Sequence, residues 1–91
     1  MPHIIKMPKR FDYSASEEFN TKVNAGLHAE AQAIILDFFN MDYIDSAGIG
    51  LLVMAHKKTL GSSSAISIIH CKPVLKEVLL LANLQKLIDI K

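Results

Sequence analysis

The sequence has little of what several classes of function require. Its single cysteine, Cys71, excludes an internal disulfide and a metal site built from several thiolates. Ten Lys and Arg residues against nine Asp and Glu residues give a net charge of +1, without the strongly basic character of nucleic-acid-binding proteins. The longest apolar runs, such as residues 78–82, are far shorter than the ~20 residues that span a bilayer, and no signal-peptide pattern is present. We therefore expect a cytoplasmic protein that binds no nucleic acid and does not insert into membranes.

The length of 91 residues is sufficient for one small domain with a single two-layer core, which we expect to span residues 1–91. Hydrophobic residues make up 51% of the chain and charged residues 21%, proportions that are typical of compact globular proteins rather than disordered ones. We expect the chain to fold alone.

Hydrophobic patterns and turn residues predict four strands that alternate with three helices. The predicted strands cover residues 3–7, 33–39, 65–70 and 87–90. The first helix begins near Ser14, where Glu17 completes the spacing of a capping box, and the other two helices cover residues 46–60 and 73–84. This β-α-β-α-β-α-β order predicts an α/β fold with a central, largely parallel or mixed sheet and about three helices packed on it.

The predicted helix 46–60 has two different sides. At about 100° per residue, the residues that point toward the core are Ile49, Leu52, Val53, His56 and Leu60. The opposite side carries Ser46, Gly50, Met54, Lys57 and Lys58. A surface of small residues and methionine allows close, adaptable contact with another protein, so we expect this outer side to bind a partner. An ordinary solvated helix face is the alternative.

Ser46 has three conceivable roles: a nucleophile, a donor to a bound phosphate, or the acceptor of a covalent phosphate. A serine nucleophile needs a base within hydrogen-bond reach, and the GxSxG motif that positions such a serine is absent. No two histidines have the spacing of a metal-binding pair. We expect His56 to have a structural role. Asp42 and Asp45 place negative charge where a free phosphate would bind, and no Walker lysine is nearby. A helix N-terminus stabilises an attached anion, while a simple N-cap role for Ser46 stays possible. We expect no enzyme active site, metal or cofactor.

Three segments together resemble the STAS domain family, which includes the anti-anti-sigma factors of bacterial partner-switching systems. The segment IDSAGIGLLV at residues 44–53 is similar to the family's signature at its second helix. The segments RFDYSASEEF at residues 10–19 and CKPVLKEVLLLANLQKLIDI at residues 71–90 are similar to the entry of its first helix and to its C-terminal part. The resemblance implies the family's α/β fold, truncated at the N-terminal strand and without the additional C-terminal helix of many members.

The resemblance also implies an anti-sigma factor antagonist in which Ser46 is phosphorylated. In the family, a GHKL-type serine kinase that is also the anti-sigma factor modifies the serine at this position, and a PP2C-type phosphatase, or a response regulator carrying one, reverses the reaction. The unphosphorylated form binds the kinase and frees the sigma factor. The surroundings of the phosphorylation site correspond to Asp12, Asp45, Ala47 and Gly48. The expected partner-binding residues are Asp42, Ser46, Gly50, Met54 and Lys57.

An alternative function within the same family is that of a STAS subunit of an ABC-type lipid-transport complex. Such a subunit would dock on its ATPase through the same helix without phosphorylation and would tolerate loss of the Ser46 hydroxyl. The identity of the partner, a serine kinase or an ABC ATPase, distinguishes the two functions.

Overall fold

The structure, a computed structural model, describes residues 1–91 and contains six strands and three helices. The strands are β1 (His3–Lys6), β2 (Arg10–Phe11), β3 (Ala33–Asp37), β4 (Tyr43–Ile44), β5 (Ala65–Ile69) and β6 (Asp89–Ile90). The helices are α1 (Ser16–His28), α2 (Ser46–Thr59) and α3 (Pro73–Leu81). The predicted order of four strands and three helices is confirmed. The structure adds β2 and β4, two-residue strands that the hydrophobic pattern does not predict.

The main sheet has the strand order β1-β3-β5-β6, and all of its neighbouring strands are parallel. Each connection moves further in the same direction, and because such crossovers are right-handed, the three helices cover the same face of the sheet. Burial in β3 alternates accordingly, since Ile34 and Leu36 are buried while Ile35 and Asp37 are only half-buried. This architecture confirms the predicted α/β fold. None of the helices has the length and apolar character needed to cross a membrane.

The start of the first helix differs from the prediction. The helix α1 begins at Ser16, after a short 3-10 turn at Tyr13–Ala15, and Ser14 does not cap it. Instead, the carboxylate of Asp12 accepts hydrogen bonds from both the backbone N–H and the hydroxyl of Ser14. The capping-box prediction was wrong because a stronger acceptor, two residues earlier, already binds the serine.

The buried side of α2 is also displaced from the predicted one. The residues of α2 that are fully buried are Gly48, Leu52, Ala55 and Thr59. His56 is only half-buried and Leu60 is 65% exposed, so their assignment to the core was wrong. A helical projection weighted by hydrophobicity overlooks small residues, which are the ones that let a helix approach its neighbours closely. The outer side is as predicted for Ser46, Gly50, Met54 and Lys57, which are exposed, whereas Lys58 is half-buried.

Candidate functional site

The site around Ser46 is built on the small second sheet. Strands β2 and β4 pair in parallel, with Arg10 opposite Tyr43 and Phe11 opposite Ile44. Phe11 and Ile44 are buried in the core and anchor this sheet to the rest of the domain. Because the two strands run in the same direction and in register, the residues that follow them, Asp12 and Asp45, lie at the same end of the small sheet.

Both of these aspartates cap the structure that follows them. Asp12 accepts the backbone N–H of Ser14 at 3.0 Å, and Asp45 accepts the backbone N–H of Gly48 at 3.1 Å. Asp45 is thus the N-cap of α2, and Ser46 is the first residue of the helix rather than its cap. The Ser46 side chain is consequently not needed for capping, and it is exposed at the positive end of the helix dipole.

Gly48 lies where the first turn of α2 crosses β2. A Cβ atom built at this position would be 2.4 Å from the backbone oxygen of Phe11 and 2.8 Å from a side-chain carbon of Ile44. Only glycine permits this approach, so Gly48 sets the distance between the helix and the small sheet. Ala47, the other small residue predicted near Ser46, is half-buried.

Two further side chains, Arg10 and Tyr43, connect the two capping aspartates. We did not assign them to the site from the sequence. The Nε–H of Arg10 donates to Asp12 Oδ2 at 2.8 Å, and the guanidinium carbon lies 4.1 Å from the centre of the Tyr43 ring. The Tyr43 hydroxyl in turn donates to Asp45 Oδ2 at 3.4 Å. The pKa of Asp12 is lowered, first by the hydrogen bond from the Ser14 hydroxyl and then by the one from Arg10.

A repeated pattern in the sequence could have identified these residues. Arg10-Phe11-Asp12 and Tyr43-Ile44-Asp45 have the same arrangement: a long side chain, a buried apolar residue, then a capping aspartate before a helical segment. Two triplets of this kind are suited to a pair of short parallel strands, each followed by a helical segment. Their equivalent positions are therefore expected to lie opposite each other.

The predicted partner-binding residues form one exposed stripe and one separate group. Ser46, Gly50, Met54 and Lys57 follow each other at intervals of three or four residues along the outer side of α2. Apart from the adjoining backbone of α2 itself, no atom lies within 4 Å of a Cβ built at Gly50. We call these four residues the outer stripe. Asp42 is exposed in the segment before β4 and forms an ion pair with Lys9 at 3.7 Å. Asp42 therefore lies in the segment that precedes the site and is not part of the helix surface.

A second acidic group lies at the carboxyl end of the main sheet. Asp37, the last residue of β3, accepts the backbone N–H of Phe39, and its Oδ1 lies 2.9 Å from His70 Nδ1. This contact with His70 is the main reason why the pKa of Asp37 is lowered. No group of three or more His, Cys, Asp or Glu side chains in the structure is arranged to hold a metal ion.

Comparisons with known proteins agree with this fold. A family model described as the STAS domain matches residues 2–91. A STAS-domain containing protein of Pseudomonas aeruginosa strain UCBPP-PA14 is 26% identical over 86 residues, which cover 94% of this chain and 84% of that protein. The crystal structure of a sulfate transporter family protein from Wolinella succinogenes has a TM-score of 0.83 at 12% identity, covering 93% of this chain and 69% of that one.

The solved structures also include SpoIIAA in two forms. The phosphorylated form, a cell fate determinant of Bacillus, has a TM-score of 0.64 at 17% identity and covers 99% of this chain and 82% of its own. The unphosphorylated form, described as an anti-sigma factor antagonist, has a TM-score of 0.65 at 18% identity and covers 88% and 74%. At these identities the structures establish a shared fold. With the family match extending over residues 2–91, this chain belongs to the STAS domain family.

Proposed function

We propose that this protein is an anti-sigma factor antagonist whose partner binding is switched by phosphorylation of Ser46. The unmodified protein binds an anti-sigma factor that is a GHKL-type serine kinase, and the phosphorylated protein is released from it. The observation that carries the proposal is the exposure of Ser46 at the first position of α2, while Asp45 supplies the cap. A hydroxyl in this position is free to react without loss of a structural hydrogen bond.

The outer stripe supports a binding role because it has no function in the core. Gly50 has open space around it, and Met54 is 50% exposed. A partner that covers this stripe would also cover Ser46, which lies at its beginning. Modification of Ser46 therefore acts on the contact itself, and no change of fold is required.

Charge explains how a phosphate would end the contact. A phosphoserine adds a charge of roughly −1.5 to −2 beside the carboxylate of Asp45. In the free protein, water and the N–H groups of the helix terminus stabilise this charge. Under a bound partner the same group would lose water, and a buried charge without adequate pairing costs several kcal/mol, which is more than a hundredfold in affinity.

The likeness to SpoIIAA, a protein known in unphosphorylated and phosphorylated forms, is in accord with such a switch. In the proposed cycle, a PP2C-type phosphatase, or a response regulator that carries one, removes the phosphate. The output is the activity of a sigma factor, and the cycle takes place in the cytoplasm.

Phosphorylation can be tested with the native protein and two variants. We expect mass spectrometry of the protein isolated from its own host to find phosphate on Ser46. The cognate kinase with labelled ATP should modify wild type and Ser63→Ala equally but not Ser46→Ala, because Ser63 is an exposed loop serine far along the chain from α2's first turn. Equal labelling of all three proteins would refute the assignment of Ser46.

A second candidate function uses the same stripe without the phosphate. As a STAS subunit of an ABC-type lipid-transport complex, the chain would dock on the ATPase through Gly50 and Met54, whose exposure does not depend on the hydroxyl. Affinity purification from the host would then recover an ABC ATPase rather than a serine kinase, and Ser46→Ala would behave as wild type in the cell. Recovery of the kinase would exclude this alternative.

A further inference from the structure

A series of side-chain contacts connects the cation of Arg10 to the residue beside Ser46. Its guanidinium lies over Tyr43, whose hydroxyl reaches the capping carboxylate of Asp45, the neighbour of Ser46. Arg10 is thus held on the same end of the small sheet as the proposed phosphorylation site. Its side chain is 64% exposed, so it can change rotamer without disturbing the core.

Arg10 also has unused hydrogen-bonding capacity. Its bond to Asp12 is made by Nε–H, whereas the two terminal nitrogens of the guanidinium, with four further N–H groups, make no hydrogen bond to the protein. A planar group with free, adjacent donors is suited to bidentate binding of phosphate oxygens. These donors face water in the unmodified protein and are available to an anion placed near them.

Asp12 does not depend on Arg10 alone. Its carboxylate also accepts the backbone N–H and the hydroxyl of Ser14, and the hydroxyl bond contributes most to the lowered pKa of Asp12. Arg10 can consequently leave Asp12 without stranding a bare carboxylate. The Arg10–Asp12 contact lies at the surface, where water and salt weaken an ion pair, so it opposes such a change of partner only weakly.

We infer that Arg10 binds the phosphate of phosphorylated Ser46 within the same molecule, exchanging its contact with Asp12 for one with the dianion. The inference rests on the proposed function, because it describes the modified form of that site. It adds a residue that stabilises the free phosphorylated protein. A dianion that is already paired within its own chain is less available to a cation on the partner, which favours the released state.

Lys9 provides a matched control for the general electrostatic field. It is the residue before Arg10, it carries the same charge, and its side chain is engaged by Asp42 at 3.7 Å rather than by the caps. A phosphate that responds only to the net charge of this segment would respond to the loss of either cation, Lys9 or Arg10. A phosphate bound by Arg10 would respond to Arg10 alone.

The test uses full-length protein with phosphoserine encoded genetically at position 46, so it needs no kinase. Phosphorus NMR titration measures the second pKa of the phosphate, ordinarily about 6, in wild type, Arg10→Gln, Arg10→Lys and Lys9→Gln. We expect Arg10→Gln to raise this pKa by roughly 0.5 unit, because a cation that favours the dianion has been removed from an exposed site. Lys9→Gln should leave it near the wild-type value, and Arg10→Lys should fall between.

Equal pKa values in wild type and Arg10→Gln, or equal shifts in Arg10→Gln and Lys9→Gln, would overturn the inference. A nitrogen–proton correlation spectrum checks that each variant is folded, and if Arg10→Gln is not, the difference between wild type and Arg10→Lys decides. Failure of this inference is distinguishable from failure of the proposed function. A protein that no kinase modifies in its host can still show the Arg10 effect, and a true phosphoprotein can lack it.

Discussion

The two sides of α2 use the same residue type for opposite reasons. Gly48 faces the small sheet, where a Cβ would come within 2.4 Å of the Phe11 backbone oxygen. Gly50, two residues later, faces outward, and a Cβ there would meet no atom within 4 Å beyond the adjoining backbone of α2 itself. The fold therefore requires the first glycine and does not require the second.

The difference separates what holds the domain together from what a partner could use. A glycine inside a helix is less favourable than alanine by up to about 1 kcal/mol, and at Gly50 no contact within the chain compensates for this. Its position on the outer stripe between Ser46 and Met54 offers a reason outside the fold, namely a flat surface that a partner can approach closely. Substitutions on the inner side should accordingly change the stability of the domain, and substitutions on the outer side should change its affinity for a partner.

The largest effect on stability is expected from Gly48→Ala. The added methyl group must displace the backbone of β2 or the start of α2, and overpacking of this kind destabilises by about 1–3 kcal/mol. Urea unfolding followed by circular dichroism measures the change. Gly50→Ala is the matched control and should unfold at the same or a slightly higher urea concentration. Equal loss of stability in both variants would show that the two sides of α2 do not differ.

Gly50→Glu should have the opposite profile. Glutamate is a better helix former than glycine, so the midpoint of thermal unfolding should be almost unchanged. Affinity for the anti-sigma factor kinase should fall at least about tenfold, or ~1.4 kcal/mol, because a bulky charge occupies the outer stripe. Isothermal titration with Gly50→Ala as the control measures this. An unfolded Gly50→Glu protein would mean that Gly50 is packed against the core.

A smaller effect concerns pH and two aspartates, the cap Asp12 and Asp37 at the end of β3. Asp12 and Asp37 have a lower pKa in the folded protein than the ordinary value of 3.8, so both favour folding when ionised. Their contribution is complete above pH 3.8 and is lost as the pH falls through the lowered values. Acid unfolding should therefore begin below about pH 4, and the Asp12→Asn variant should lose less stability over this range than wild type. An unchanged pH dependence in Asp12→Asn would contradict the role of this cap.

The smallest effect is expected from His56→Leu, on the border between the two sides. The ring is half-buried, so leucine should keep or slightly raise the free energy of unfolding, with a change within about 0.5 kcal/mol. Kinase binding should stay intact, because His56 lies outside the outer stripe. Thermal unfolding and isothermal titration measure the two quantities. Loss of binding in a well-folded variant would extend the binding surface beyond the stripe.

The sequence could predict the long elements of the structure but not the short ones. The main strands and helices were predictable because runs such as residues 33–39 and the periodicity of residues 46–60 are long enough to reveal their type. The small sheet was not, since two-residue strands have no periodicity, and the contacts of Arg10 and Tyr43 arise only from their pairing across 33 positions of sequence. The buried side of α2 was misjudged because Gly48, Ala55 and Thr59 pack closely without being strongly hydrophobic.

The exposed position of Ser46 and the outer stripe followed from helical geometry, and the proposed switch rests on that exposure together with the family resemblance. Its most direct test is the affinity of the kinase for the protein with and without phosphate on Ser46, measured by isothermal titration. We expect the unmodified protein and Ser46→Ala to bind equally well, and the phosphorylated protein to bind more than a hundredfold more weakly with an unchanged circular dichroism spectrum. Ser46→Asp should also bind poorly. Equal affinity of the phosphorylated and unmodified proteins would contradict the account.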